Sequence, residues 1–499
     1  KKPKPYIQLG AMRVSVALLS GQSASCAVSP DSSVNALRTA AQLRLGVRIE
    51  SLVSPAGECL KGSAKLEDAG LADGDIVSAV VSEMSHCIEC HSHGRAFAAI
   101  RTDGTVVTWG QSNEGGDSSA VTSELVGVQR IHATLAAFAA IRDGGRVVSW
   151  GSPGHGGDSH EVRHELRNVQ KIEATLRAFA AIKADGKVVT WGDPVSGGDS
   201  RAVRQQLTDV QVIQSTSRAF AALKTDGTVV VWGWPNSGGN NASVEHLLTD
   251  VQALQSSFGA FAALKADGRV VAWGSPDYGG DCSDVQDALT DVATIHGAHA
   301  AFAAIKQDGT VVTWGGTDHG GNSCPMQDQL VQVKQIFCTV RAFAALRVDG
   351  TVVTWGYPTD GGDSSHVQDE LKGVRDVQGS VAAFAAIRND GRVVTWGYPD
   401  YGGDSDAVQE QLIGVQKITA TSRAFAALKS NGCVVTWGHD AEGGDSTAVE
   451  GQLANVCDLR ATCGAFVAVR ADGTAVTWGH PFWGGDSTAV HDQLVNLAV

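Results

Sequence analysis

Residues 128–168 read VQRIHATLAAFAAIRDGGRVVSWGSPGHGGDSHEVRHELRN, and most of the chain is built from this unit. Val128–Thr134 and Ala137–Ile141 have strand composition, and Asp143-Gly144-Gly145 supplies a tight turn in which glycine takes up positive φ. Arg146–Gly151 reads as a third strand. A loop, Ser152–Gly156, leads to Gly157-Asp158-Ser159, after which a short helix carrying Val162 and Leu166 is expected. The central Trp-Gly pair recurs ten times at an interval of 41 residues, starting at Trp109, Trp150, Trp191, Trp232, Trp273, Trp314, Trp355, Trp396, Trp437 and Trp478. A fixed period of this length marks a repeat architecture, in which each unit buries its apolar face against its neighbours.

The columns of the repeat carry the next level of information. Phenylalanine holds one place in the second strand of all ten units, from Phe97 to Phe466, flanked by small residues. With the tryptophan it predicts an interdigitated core between stacked units. The position after each Gly-Gly is Asp or Asn, from Asp117 to Asp486. Either residue offers a side-chain oxygen to free backbone N–H groups, so this column reads as a cap; a calcium role would need a shorter repeat and uniform acids. A basic column precedes each hairpin turn: Arg101, Arg142, Lys183, Lys224, Lys265, Lys306, Arg347, Arg388, Lys429 and Arg470. These side chains are expected to pair with the acidic column or to lie along apolar surface.

The formal net charge of −14, from 53 acidic and 39 basic residues, weighs against a general nucleic-acid binder. No two array cysteines share a repeat position, so no periodic disulfide or zinc framework exists. A reducing compartment, cytoplasmic or nuclear, and no membrane insertion are expected.

Residues 12–83 differ from the array and follow a basic leader over residues 1–11. Met12–Leu19 alternates like a strand, Ser20-Gly21-Gln22 turns, and Ser23–Val28 returns. Pro30-Asp31-Ser32-Ser33 starts a helix over Val34, Leu37, Ala41 and Leu45, which Gly46 can end. Strands follow at Ser51–Ser54 and Ile76–Val81. This order resembles the ubiquitin-like β-grasp (α+β) domains, which the resemblance implies act as docking modules, with Leu52 and Val53 as a candidate contact patch.

The stretch AFAALKTDGTVVVWGWPNSGG, residues 219–239, resembles the repeat of the regulator of chromosome condensation family, over roughly residues 87–499. That family's members form seven-bladed β-propellers and serve in guanine-nucleotide exchange, ubiquitin-ligase targeting, ultraviolet sensing and scaffolding. This unit is shorter, carries Gly-Gly-Asp and a helix, and occurs ten times. The expected fold is therefore a mainly β tandem-repeat array of hairpin/short-helix units, closing as a propeller-like ring or stacking as an open superhelix, after an N-terminal β-grasp domain.

Cys87-x-x-Cys90-His91 has spacing that suits haem attachment or zinc. By repeat register, however, Cys87 and Cys90 fall where Val128 and Ile131 stand in the next unit, which reads as core. No nucleophile elbow or phosphate loop occurs. Neither an enzyme nor a cofactor is expected, and no metal site. The variable loop after each Trp-Gly gathers the candidate binding residues: Trp234, Tyr278, His319, Tyr357, Tyr398, Tyr401, His439, His480, Phe482 and Trp483. Variable aromatic loops on a rigid scaffold make binding surfaces. The expected function is a protein–protein interaction scaffold or structural subunit, with protein partners. A guanine-nucleotide exchange factor, a ubiquitin-pathway adaptor or a tryptophan photoreceptor are the alternatives.

Overall fold

Alternation in Met12–Ala17 buries Met12, Val14 and Val16 and exposes Arg13, so this strand has one face for a core. The computed structural model describes residues 12–17, 23–34, 37–38, 41, 49–55, 60, 65–81 and 87–497. The basic leader, the Ser20–Gln22 turn, Leu45-Gly46 and His86 lie outside the described residues. Strands β1 (Met12–Ala17), β2 (Ser23–Val28), β3 (Ile49–Val53) and β4 (Ile76–Val81) form one sheet in the order β2-β1-β4-β3. The central pair β1–β4 is parallel and the outer pairs are antiparallel, which is the β-grasp arrangement. Helical Val34, Leu37 and Ala41 pack onto that sheet with Leu52, Leu66 and Leu71.

Each 41-residue unit folds into a three-stranded antiparallel sheet, and there are ten such sheets among the described residues. In the second unit the strands are Val128–Ala133, Ala137–Arg142 and Val147–Gly151, joined by two tight turns. A bulge at Gln129 separates the Val128–Arg142 pair from the Arg130–Ile141 pair. The single short helix expected after the third strand is instead two 3-10 turns, Pro153–His155 and His160–Val162. The first stops because Gly156 enters the left-handed region at φ 91°, and neither turn is long enough to propagate as an α-helix.

Units stack through one repeated interface. The face of one sheet, Ala137, Ala139, Ile141 and Val147, meets Leu166, Val169, Ile172, Phe179, Ala181, Val189 and Trp191, and the same columns recur at each junction. Phe and Trp are cross-strand partners within a blade, stacked at 5.1–5.3 Å in all ten. Every indole N–H then donates to the carbonyl of the loop glycine one unit back, as in Trp191 Nε1 to Gly156 O at 3.0 Å. This satisfies the buried polar atom of the largest core side chain and sets the spacing between blades.

The array is a closed ring, and the open superhelix is set aside by the junction between its ends. Trp109 of the first blade donates to Gly484 O of the tenth at 3.1 Å. Ala465, Val467, Val469, Ala475 and Leu494 pack on Ile88, Phe97, Ala99, Val107 and Trp109, the same columns as elsewhere. No strand exchange was evident in the sequence, yet one closes the ring. Leu497 bridges to Arg101 as Val128 does to Arg142. Thr102 N–H donates to Asn496 O at 2.8 Å and Leu497 N–H to Gly473 O at 2.9 Å. The first strand of blade 1 is thus shared between Cys87–Glu89 and the other end of the array. Closure covers the two apolar faces that an open stack would leave exposed.

Candidate functional site

Strand directions give the ring two unlike faces. The turn between first and second strands and the loop after the third strand lie on one face; the Asp-Gly hairpins lie on the other. The β-grasp domain meets the hairpin face, where Arg38 Nη2 lies 3.4 Å from Asp143 Oδ1. In that blade the hairpin aspartate stands one residue earlier than in its neighbours.

The variable loops therefore all project on the face away from that contact, the loop face. Seven of them start a 3-10 turn with proline, whose fixed φ suits the first position. Trp234, Tyr357 and Tyr398 are exposed, and Phe482 is 71% exposed. Tyr278 and Tyr401 are partly buried and pack against the inter-blade cores. His439, His319, His480 and Trp483 are half-buried, with His480 and Trp483 stacked at 4.0 Å. Arginines from the adjacent turns cover several of these rings: Arg341 on Tyr357 at 3.4 Å, Arg218 on Trp234 at 4.7 Å, Arg423 on Tyr401 at 4.8 Å and Arg95 on Trp483 at 5.8 Å. The sequence singled out the aromatics but not these arginines: Arg218 and Arg341 reach the loop of their own blade, whereas Arg423 and Arg95 cover a ring of the preceding blade, and the turn geometry alone makes them neighbours.

Blades 5 and 6 add a continuous aromatic run. Phe258 lies 5.8 Å from Tyr278 and 4.5 Å from His299, and His299 lies 6.0 Å from His319. Phe258 and His299 occupy the inner turns, whose backbones link blade to blade around the axis: Leu135 N–H to Leu176 O, Leu176 to Ser217, Ser217 to Phe258 and Phe258 to His299.

Blade 1 departs from the others at this axis. Ile88 pairs with Ala99 as Ile131 pairs with Ala140, so Ile88, and not Cys90, takes the core position. The turn of blade 1 therefore holds two extra residues, and His91-Ser92-His93 stands at the axial mouth. Cys87 is buried beside Ile88, while Cys90 Sγ donates to Ala461 O at 3.0 Å. Among the described residues no group of three His, Cys, Asp or Glu side chains could hold a metal ion. Burial lowers His91 to about 4 and holds His93 and His299 below the usual imidazole range.

Below the mouth, Glu89 and Glu173 keep some surface in the axial channel but are crowded by its walls, which pushes each carboxyl up to about 7. Glu173 also accepts from Ser215 Oγ at 2.9 Å. The unfolded carboxyl ionises near 4.5, so ionising the folded one penalises the native state progressively as pH rises between those values. Glu173→Gln is expected to match wild type closely at pH 4.5 and to exceed it by about 3 kcal/mol at pH 8. Parallel urea midpoints across that window would sink the assignment.

The two polar columns have structural partners. Each Asp or Asn after Gly-Gly accepts from the N–H two residues on, as Asp363 Oδ1 does from Ser365 at 2.9 Å and Asn240 Oδ1 from Ala242 at 3.0 Å. These bonds to the backbone hold Asp117, Asp281 and Asp363 below the usual carboxylate range. The basic column does not reach this acidic column. Its members bind backbone carbonyls, as Arg347 Nε does Val331 O and Lys429 Nζ does Gln411 O, or pair with the hairpin aspartate, as Arg388 does with Asp390. Leu52, expected in a docking patch, is 1% exposed and belongs to the β-grasp core; Val53 is half-buried.

Closed three-stranded blades, one Phe–Trp stack per blade and a composite closing strand define a β-propeller repeat protein preceded by a β-grasp domain. Solved structures similar to this chain include Prp20p from Saccharomyces cerevisiae, 15% identical over 48% of this chain and 74% of that chain, with a TM-score of 0.30. Yeast RCC1 (Prp20) crystallised with Kap60 is 16% identical over 55% of this chain and 71% of its own, with a TM-score of 0.32. The ubiquitin of Caldiarchaeum subterraneum is 25% identical over 15% of this chain and all of its own, with a TM-score of 0.15. No family model matches the chain, and no curated relative matches it. Among the described residues no helix is long and apolar enough to cross a membrane.

Proposed function

We propose that the chain is a non-enzymatic interaction scaffold whose loop face binds a partner protein. The observation that carries this reading is the set of exposed aromatics on one face of a closed ring, several of them covered by arginine. Such anchors are rigid, amphipathic and enriched where binding energy concentrates. The scaffold around them is stiff, because each blade is fixed on both sides by the same core. The β-grasp domain contacts the hairpin face through Arg38 and Asp143, so a partner of the loop face need not compete with it.

The test is photo-crosslinking in native extract from a reporter placed at Phe482, with a second reporter at Asp308 on the hairpin face. A discrete protein adduct from the loop-face reporter, weakened at least tenfold by Trp234→Ala or by Tyr398→Ala, is expected. Adducts only from the hairpin face would overturn the proposal. Purified protein is expected to leave nucleotide exchange on small GTPases unstimulated; stimulation would favour the exchange-factor reading.

A further inference from the structure

The axial mouth on the loop face holds a cavity of about 460 Å³. Its walls come from five consecutive blades: His91 and His93 of the blade 1 turn, Leu135, Leu176, Ser217 and Phe258. Phe258 is 39% exposed at its edge, and the rings of Tyr278 and His299 continue the apolar surface outward. In a chain of net charge −14, no carboxylate among the described residues lines this cavity. The carboxyl nearest to it by bonding, Glu173 on Ser215, is pushed up to about 7. The histidines there are held below the usual range by burial and are neutral at pH 7.

Arg218 follows Ser217 directly and differs from the other covering arginines. Arg95 pairs with Glu114, Arg341 with Asp360 and Arg423 with Glu442. Arg218 lies over Trp234 and forms no ion pair with a carboxylate among the described residues. An apolar cavity and an unneutralised guanidinium thus stand side by side, at the one sector of the rim where the inner turns are aromatic.

We infer that this sector is a peptide-binding site for an acidic segment of a partner protein, which inserts an apolar or aromatic side chain into the axial mouth and places a neighbouring carboxylate on Arg218. The inference rests on the scaffold reading above and gives it a location and a partner chemistry. A basic segment has no carboxylate to meet here. A wholly apolar one leaves Arg218 unused, whereas a carboxylate on a stacked guanidinium gains a charge-assisted hydrogen bond. The neutral rim lets the anion approach without repulsion. The blade 1 insertion forms one wall, so the pocket is built only after the ring has closed.

The experiment is selection of a displayed random dodecapeptide library on the full-length protein, followed by fluorescence anisotropy with the most enriched synthetic peptide. Enriched sequences are expected to hold an aromatic or aliphatic anchor within a few residues of Asp or Glu. Phe258→Ala and Arg218→Glu should each weaken the peptide at least tenfold, Arg218→Lys less, and Phe482→Ala not at all. Circular dichroism of each variant checks the fold. Enrichment of basic or uncharged peptides, indifference to Arg218→Glu, or no enrichment overturns the inference. Peptides that map instead to Phe482 and Trp483 would overturn it while leaving the scaffold reading in place.

Discussion

Gly361→Ala is expected to lower the stability of the ring by about 3 kcal/mol. Gly361 has φ +100°, where an L side chain is strained by about 1–2 kcal/mol. A Cβ there would stand 2.5 Å from Phe384 Cδ2, the ring that must stack on Trp396. Phe384 is fully buried, so relief requires it to push into the next blade, an overpacking cost of about 1–3 kcal/mol. The same glycine carbonyl accepts from Trp396 Nε1 at 3.0 Å, and any shift of the loop leaves that indole unpaired. Gly451 is the control: it is clear of neighbours and has no positive φ, so its alanine variant should stay within about 0.5 kcal/mol of wild type. Urea unfolding followed by tryptophan fluorescence measures both. Equal midpoints for the two variants would remove the glycine column from the account of blade packing.

Leu497→Asp is expected to open the ring at its seam. Leu497 is 2% exposed and sits in the blade 10–blade 1 core with Ile88, Phe97 and Trp109. A carboxylate there is buried among apolar side chains, and its cross-strand neighbour Arg101 is already held by Gln493 O, a penalty of about 3–5 kcal/mol that the seam can escape by separating. The amide of Thr102, which donates to Asn496 O, should then exchange with solvent far faster than in wild type. Val251→Asp alters the same column inside the continuous chain. It should cost a similar amount while leaving Thr102 protected, because covalent connection holds blades 4 and 5 together. Unchanged exchange at Thr102 in Leu497→Asp would mean that another contact carries closure.

The local layer was legible in the residues. The alternation and turn chemistry of the 41-residue unit placed three strands and a hairpin, and the Phe and Trp columns marked the core. The Asp/Asn column was readable as a backbone acceptor because only those two side chains fill it. The short helix was not: Val162 and Leu166 are four residues apart, but the glycine before them and the strand after leave room only for 3-10 turns. The register of blade 1 was also hidden. Counting from Trp109 put Cys90 in the core, and only strand pairing showed that two extra residues had been spent at the axis. The same limit applied to the site, where the loop aromatics were visible but the arginines over them were not.

By itself, the sequence determined that ten like units repeat without interruption, which residues they bury, and that a β-grasp domain precedes them. Ring or superhelix was a different kind of question. A small change in the angle between neighbouring blades, accumulated over ten junctions, separates closure from a helical miss, and no single unit encodes that sum. Only the tertiary structure decided it, by bringing Leu497 to Arg101 and Gly484 to Trp109 so that the last face is covered by the first. The axial mouth, the composite strand and the position of Arg218 beside an apolar cavity all follow from that closure.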